Sequence, residues 1–253
     1  MLMLQRHIQI INLLNKNIRM TTNDFCKELN VSAGTIRNDL NFLEKEKLLK
    51  KFHGGAAILE KHYTIDIDKR NKQNNFEKEI IANEALKLIQ DDQCIILDAS
   101  STALALAKKL VKFKRLTVIT NGIYTMMALK DLPNITVIFI GGIVTKNSAC
   151  TEGLLGCDLL DKINADISFV SSHGFTLDEG LTDFNLYEVE LKKQMLKRSK
   201  KCIALLDYTK FENISTASFG NSCDIDLIIT DSNTDISIIE KYRNSEVKVI
   251  IAK

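Results

Sequence analysis

Two closely spaced helix starts and a glycine pair preceded by lysines constrain the first sixty residues more tightly than any other feature of the chain. Thr21-Thr22-Asn23-Asp24 has the Ser/Thr-x-x-acid form in which side-chain oxygens occupy the free N–H groups of a helix start, and Phe25, Cys26 and Leu29 follow at roughly helical spacing. Asn30-Val31 supplies a turn, and Ser32 opens a second helix as its N-cap. Ile36, Leu40 and Leu43 fall at i, i+4 and i+7, so one stripe of this second helix must face a core. The rest of the helix carries Gly34, Asn38 and Asn41 with Arg37 beside them, and Ser32 and Thr35 at its start. A DNA major groove accepts this chemistry. Asparagine pairs bidentately with adenine, arginine with guanine or a phosphate, and glycine lets the backbone come close.

The string Leu48-Leu49-Lys50-Lys51-Phe52-His53-Gly54-Gly55-Ala56-Ala57-Ile58-Leu59 then reads as a hairpin wing around a Gly-Gly turn. Lys50, Lys51, His53 and Gly54 are expected along the phosphate backbone, where they add affinity and orientation but little sequence information. A helix pair with a hairpin is otherwise a small core with a solvated charged face, and the wing argues against that plainer reading.

Val31-Ser32-Ala33-Gly34-Thr35-Ile36-Arg37-Asn38-Asp39-Leu40, followed by Leu43-Glu44, Leu48-Leu49 and Phe52-His53-Gly54-Gly55-Ala56, closely resembles the DeoR family of bacterial transcription regulators. That family's pattern runs V-S-x-x-T-I-R-R-D-L, then L-E, then a wing ending H-G-G-A. The resemblance implies a winged helix-turn-helix head whose partner is double-stranded operator DNA. Asn38 stands where the family has the second Arg of its pair, so a phosphate or guanine contact is lost there or another base is read.

The length of 253 residues suffices for a small head and one larger domain with its own core. The formal net charge is only +2, which excludes a basic nucleic-acid coat, but the charge is uneven. Residues 1–59 hold nine Lys/Arg against five Asp/Glu, which leaves the remainder slightly acidic. No run is long and apolar enough to span a bilayer and no leader pattern opens the chain, so a cytoplasmic protein without a membrane partner is expected. The six cysteines (Cys26, Cys94, Cys150, Cys157, Cys202, Cys223) lack paired metal-ligand spacing and are expected to be reduced and mostly buried, with no structural metal. Nothing in the sequence requires a cofactor.

The chain divides into a head at 1–59, a polar linker at 60–75 and an α/β domain at 76–253. Arg70 in the linker matches a family Arg before the second domain, which implies a docking contact. From Phe76 onward, helical segments alternate with apolar runs at 94–98, 116–120, 135–140, 167–170, 202–206, 227–230 and 247–251. Such alternation predicts a Rossmann-like, largely parallel α/β domain that binds ligands at the carboxyl ends of its strands. The first exit, Asp98-Ala99-Ser100-Ser101-Thr102, reads as an anion site or simply as a helix cap. Thr120-Asn121-Gly122 and Gly141-Gly142, the latter followed by Thr145, Lys146, Asn147 and Ser148, let backbone amides approach a ligand. Ser171-Ser172-His173-Gly174-Phe175, with Gly180-Leu181-Thr182-Asp183 and Glu188 downstream, and Asp207-Tyr208-Thr209-Lys210-Phe211 complete the set.

These segments match the DeoR effector domain, whose signatures run D-S/A-G-T/S-T, T-N, G-G, G-I…G-L-T and D-x-S/T-K-F, so the resemblance spans residues 6 to about 231. It implies a fold similar to ribose-phosphate isomerases and a phosphorylated sugar or polyol as effector. On that basis Ser100, Ser101, Thr102 and Lys210 are expected at the phosphate end, with Asp98 and Thr120 in the same exits. Asn121, Gly141, Gly142, Gly174, Thr182, Asp183 and Glu188 are expected at the polyol end. Ser100 replaces the family's Gly in the phosphate loop, and Gly122 replaces the Ser after Thr-Asn.

Two rival readings use the same residues. A sugar-phosphate isomerase would need an acid/base pair, for which Asp178, Glu179, His173 and Glu188 are candidates, but the enzymes' acidic signature is replaced by Ser171-Ser172-His173-Gly174. A ligand-independent DNA-binding protein would use its second domain only to oligomerise. The segment 187–197 then serves as a subunit contact or, more commonly, as an amphipathic cover for the sheet. The expected protein is a homo-oligomeric repressor of a sugar or polyol operon.

Overall fold

The computed structural model describes residues 6–7, 9–10, 13–14, 17, 19–45, 49–52, 54–58, 73–144, 148–245 and 247–253. His53, Lys146 and Arg70 fall outside the described residues. The chain forms two compact units, residues 1–63 and 64–253.

In the first unit, Arg6, His7, Gln9, Ile10, Leu13, Leu14 and Asn17 are helical. They are followed by β1 (Arg19–Thr21), α1 (Thr22–Leu29), α2 (Ala33–Lys45), β2 (Leu49–Phe52) and β3 (Gly55–Ile58). Thr21 and Asp24 cap α1 reciprocally, and Asn30 ends it in the left-handed conformation that asparagine tolerates. Ser32 Oγ accepts the Thr35 N–H at 3.2 Å, the N-cap expected for α2. Ile10, Leu14, Phe25, Ile36, Leu40, Leu43 and Leu49 form one buried cluster. Ile10 and Leu14 come from the leading helical residues, for which the sequence carried no clear start signal. The wing is also larger than expected, because β1 joins the hairpin in the order β1-β3-β2. A three-residue strand is too short to show a period of two. Gly55 is required here, since a Cβ would lie 2.2 Å from the Met20 carbonyl oxygen on β1.

The second unit begins with α3 (Asn75–Leu86) and is built on a seven-stranded sheet. Its strands are β4 (Cys94–Leu97), β5 (Leu116–Thr120), β6 (Ile135–Phe139), β7 (Ile167–Val170), β10 (Cys202–Leu205), β12 (Leu227–Asp231) and β13 (Val249–Ala252). Their order is β6-β5-β4-β7-β10-β12-β13, and each neighbouring pair is parallel. These seven are the seven apolar runs read from the sequence. Ile95 and Leu97 enter the core under α3 and α4 (Ser101–Ala107), whereas Ile96 enters a second core with Leu191 and Met195 of α7 (Leu186–Lys197). Burial on both faces explains why the strands read as continuous apolar runs.

A small antiparallel sheet, β11-β9-β8, is formed by β8 (Gly174–Thr176), β9 (Gly180–Asp183) and β11 (Ala217–Gly220). The sequence does not announce it, because these strands are short and glycine-rich. Gly180 has φ +64°, and a Cβ there would lie 2.0 Å from the Gly220 carbonyl oxygen. The remaining helices are α5 (Ile123–Leu129), α6 (Cys157–Leu160) and α8 (Ile236–Asn244).

The cysteines require one correction. All six are free thiols, but only Cys150 and Cys202 are buried and Cys223 is exposed. Scattered cysteines on short elements take whatever burial the tertiary packing leaves them.

Candidate functional site

The exposed face of α2 presents Gly34, Arg37, Asn38 and Asn41. Thr35 is half-buried, its hydroxyl 2.9 Å from that of Ser32. Arg37 lines a groove of about 520 Å³ with Thr22, Asn23, Leu40, Lys51, Phe52, Gly54 and Gly55, so α2 and the wing form one concave surface. Glu44 accepts the Lys51 N–H at 2.8 Å, Lys51 Nζ donates to Asn41 Oδ1, and Arg19 lies 4.7 Å over the Phe52 ring. The helix is held from behind by Asp39, whose carboxylate is 2.5 Å from Arg6 Nε and 3.0 Å from His7 Nε2. Burial works to raise the Asp39 pKa, but the hydrogen bonds from Arg6 and His7 outweigh it and hold the carboxyl below its ordinary range. No local pattern marks Arg6, His7 and Asp39 as a cluster, because Arg6 and Asp39 lie 33 residues apart in sequence.

In the second unit the strand order reverses between β4 and β7, the switch point at which open α/β sheets bind ligands in a crevice outside the carboxyl ends of their strands. Asp98, leaving β4, is fully buried and accepts the Ser171 N–H at 2.8 Å and the Ser100 N–H at 3.0 Å, tying the two exits together. Ser100 caps α4 by accepting the Ala103 N–H at 3.1 Å, while Ser101 and Thr102 are buried in the first turn. From β5, Thr120 accepts the Gly122 N–H at 3.0 Å and Asn121 donates to the Thr151 carbonyl at 3.0 Å. At Gly122 a Cβ would make a tight contact, 3.1 Å from the Ala99 Cα.

Lys192 organises the centre of this crevice. Its ammonium is 2.8 Å from Asp183, 3.3 Å from Asp98 and 3.5 Å from Glu188, and it donates to the Ser171 carbonyl at 3.0 Å. Lys192 is 3% exposed, so one cation holds three carboxylates in a buried cluster. The sequence reading of segment 187–197 does not single this lysine out. Lys192 follows Val189 and precedes Met195 at three-residue spacing, within the buried stripe of α7. A lysine in register with apolar neighbours was the available signal.

The other expected positions separate. Gly141 and Gly142 are exposed at the exit of the edge strand β6, where Ile143 pairs with Glu152. Gly174 is needed by the small sheet, since a Cβ would lie 2.2 Å from the Asn213 carbonyl oxygen. Thr182 serves the same sheet, donating to the Gly174 carbonyl and accepting the Ser215 N–H. Lys210 closes a short turn at the exit of β10 that Asp207 caps. His173 packs edge-on against Phe184 at 5.6 Å. Burial pushes the Cys150 thiol up, so it stays protonated and is not a nucleophile. The switch point offers hydrogen bonds and a buried charge cluster.

Known proteins share both units. The DeoR-like helix-turn-helix domain matches residues 6–62, and the DeoR C-terminal sensor domain matches residues 73–232. The HTH-type transcriptional regulator GolR of Listeria innocua is 51% identical over 98% of both chains. The glycerol-3-phosphate regulon repressor of Escherichia coli is 24% identical over 97% of both. Among solved structures, ribose 5-phosphate isomerase A of Methanocaldococcus jannaschii overlaps 55% of each chain at 18% identity with a TM-score of 0.41. No helix among the described residues is long and apolar enough to cross a membrane. With a DNA-reading head, a sensor domain and a full-length regulator at this identity, the chain is a transcriptional regulator rather than an enzyme, and it belongs to the DeoR family.

Proposed function

We propose that this regulator represses a sugar or polyol catabolic operon from the cytoplasm and releases it when a phosphorylated sugar or polyol occupies the β4/β7 crevice. The observation that carries the effector reading is the strand-order reversal between β4 and β7, with buried Ser101, Thr102 and Asn121 and the Lys192 cluster at the exits beside it. The hydroxyls of Ser101 and Thr102 suit a phosphate, while the carboxylates suit the hydroxyls of a polyol. The relative named a glycerol-3-phosphate regulon repressor supports the same class of pathway.

On the DNA side, Gly34, Arg37, Asn38 and Asn41 are the base-reading candidates. Ser32, Thr35, Lys50, Lys51, His53 and Gly54 are assigned to the backbone. Residues 60–75 act as the connection between the two functions. One such head contacts a single half-site, so the protein acts as a homo-oligomer that sets two heads on half-sites about 34 Å or a multiple apart. The effector works by favouring the non-binding state, and a 100-fold preference changes operator affinity by at most about 2.7 kcal/mol per coupled site.

Fluorescence anisotropy at fixed salt, using DNA from upstream of the gene and its neighbouring operon, tests the proposal with and without sugar and polyol phosphates. Specific binding relieved by one phosphate is expected. Specific binding indifferent to every compound would favour a ligand-independent regulator instead.

A further inference from the structure

Among the described residues, two buried side-chain polar atoms lack a hydrogen-bond partner, Asn121 Oδ1 and Ser172 Oγ. Each residue is 1% exposed, and they leave β5 and β7, the strands on either side of β4. A ligand lying across the β4 exit therefore meets both. Buried polar atoms are paired in nearly all native structures, so two orphans flanking one crevice ask for an external partner.

The chemistry of that partner follows from the groups already engaged. Asn121 spends its amide N–H on the Thr151 carbonyl, which orients the free carbonyl oxygen as an acceptor and demands a donor from the ligand. Ser172 can donate or accept. Beside them, Asp98, Asp183 and Glu188 gather within 3.5 Å of the Lys192 ammonium, and their oxygens, like Asn121 Oδ1, accept from O–H donors and gain nothing from a ligand carboxylate, which has no proton to give.

We infer that Ser172 and Asn121 form a hydroxyl-reading pair, which selects an effector whose non-phosphorylated end is an uncharged polyol and rejects a chain ending in a carboxylate or in plain hydrocarbon. Ser172 is the specificity-determining residue, since its hydroxyl makes no hydrogen bond among the described residues. This rests on the phosphorylated-effector reading above and adds the identity of the other end.

Isothermal titration of the full-length protein and of Ser172→Ala decides the matter. The probes are straight-chain polyol phosphates from glycerol 3-phosphate to D-glucitol 6-phosphate, 6-phospho-D-gluconate, hexyl phosphate and inorganic phosphate. The wild-type protein is expected to bind one polyol phosphate at least tenfold more tightly than the aldonate or the alkyl phosphate. Ser172→Ala is expected to lose at least tenfold toward that polyol phosphate alone, with operator binding retained as the check of folding. Equal binding of the polyol phosphate by both proteins, or equal binding of polyol and alkyl phosphates by the wild type, overturns the hydroxyl-reading pair while the phosphorylated-effector reading stands. Wild-type protein that binds none of the phosphates overturns both. Should Ser172→Ala fail to fold, the wild-type ranking of polyol, aldonate and alkyl phosphates decides by itself.

Discussion

Lys192 Nζ lies 2.8 Å from Asp183 Oδ2, with both side chains less than one-tenth exposed. Burial alone would push this ammonium down, but the charges of Asp183, Glu188 and Asp98 outweigh it and hold the pKa above the ordinary lysine range. A pKa raised on folding contributes stability that is fully present below the unfolded value of about 10.4 and is lost only as pH rises through the folded value. The contribution of Lys192 is therefore flat from roughly pH 6 to pH 9.

Lys192→Met leaves three buried carboxylates facing one another. The expected cost is on the order of 3–5 kcal/mol, as for other buried pairs stripped of one partner. Urea unfolding at neutral pH measures it, and wild-type stability of the variant would show that the cluster does not depend on its cation.

Asp39 makes an opposite pH prediction for the head. Its pKa is depressed, so its contribution is present above the ordinary aspartate value of about 3.9 and is lost as pH falls through the lower folded value. Asp39→Asn should destabilise the head by roughly 3 kcal/mol, because the charge facing Arg6 is lost and an NH2 donor replaces one of the two accepting oxygens that Arg6 and His7 share. The same variant should also flatten acid unfolding of the head below about pH 4, and circular dichroism melts across that range would reveal whether it does.

Gly34 sits in α2, where an added methyl group would meet only Ser32 Oγ, at 3.8 Å. Glycine inside a helix costs about 0.5–1 kcal/mol relative to alanine, and no close packing within the head requires it. Gly34→Ala should therefore raise stability by about that amount while weakening operator binding at least tenfold, because the methyl group stands between the helix and the DNA. A variant that gains stability and keeps full affinity would remove Gly34 from the interface.

Arg37 is exposed and lines the groove between α2 and the wing. Arg37→Ala should lower operator affinity by about 1–3 kcal/mol and abolish the preference over random DNA, with fold and effector binding intact. Should Arg37 contact only a phosphate, affinity would fall uniformly across sequences and the salt slope would drop by about 0.9. Binding measured over a salt series on operator and random DNA separates the two.

Much of this protein was legible in its sequence, for reasons that are local. Thr21, Asp24 and Ser32 announce their helix starts because capping partners lie three residues apart, and the stripe of Ile36, Leu40 and Leu43 is a property of one helix. The seven sheet strands were readable because burial on both faces makes each a continuous apolar run. What only the tertiary structure decided are relations between distant segments. Lys192 meets Asp98 at the exit of β4 and Asp183 at the end of β9, Asp39 meets Arg6 across 33 residues, and Gly174 and Gly180 answer to backbone brought against them from residues 213 and 220. The register of Lys192 with Val189 and Met195 is a local hint of burial, but which carboxylates meet the ammonium is decided by packing alone.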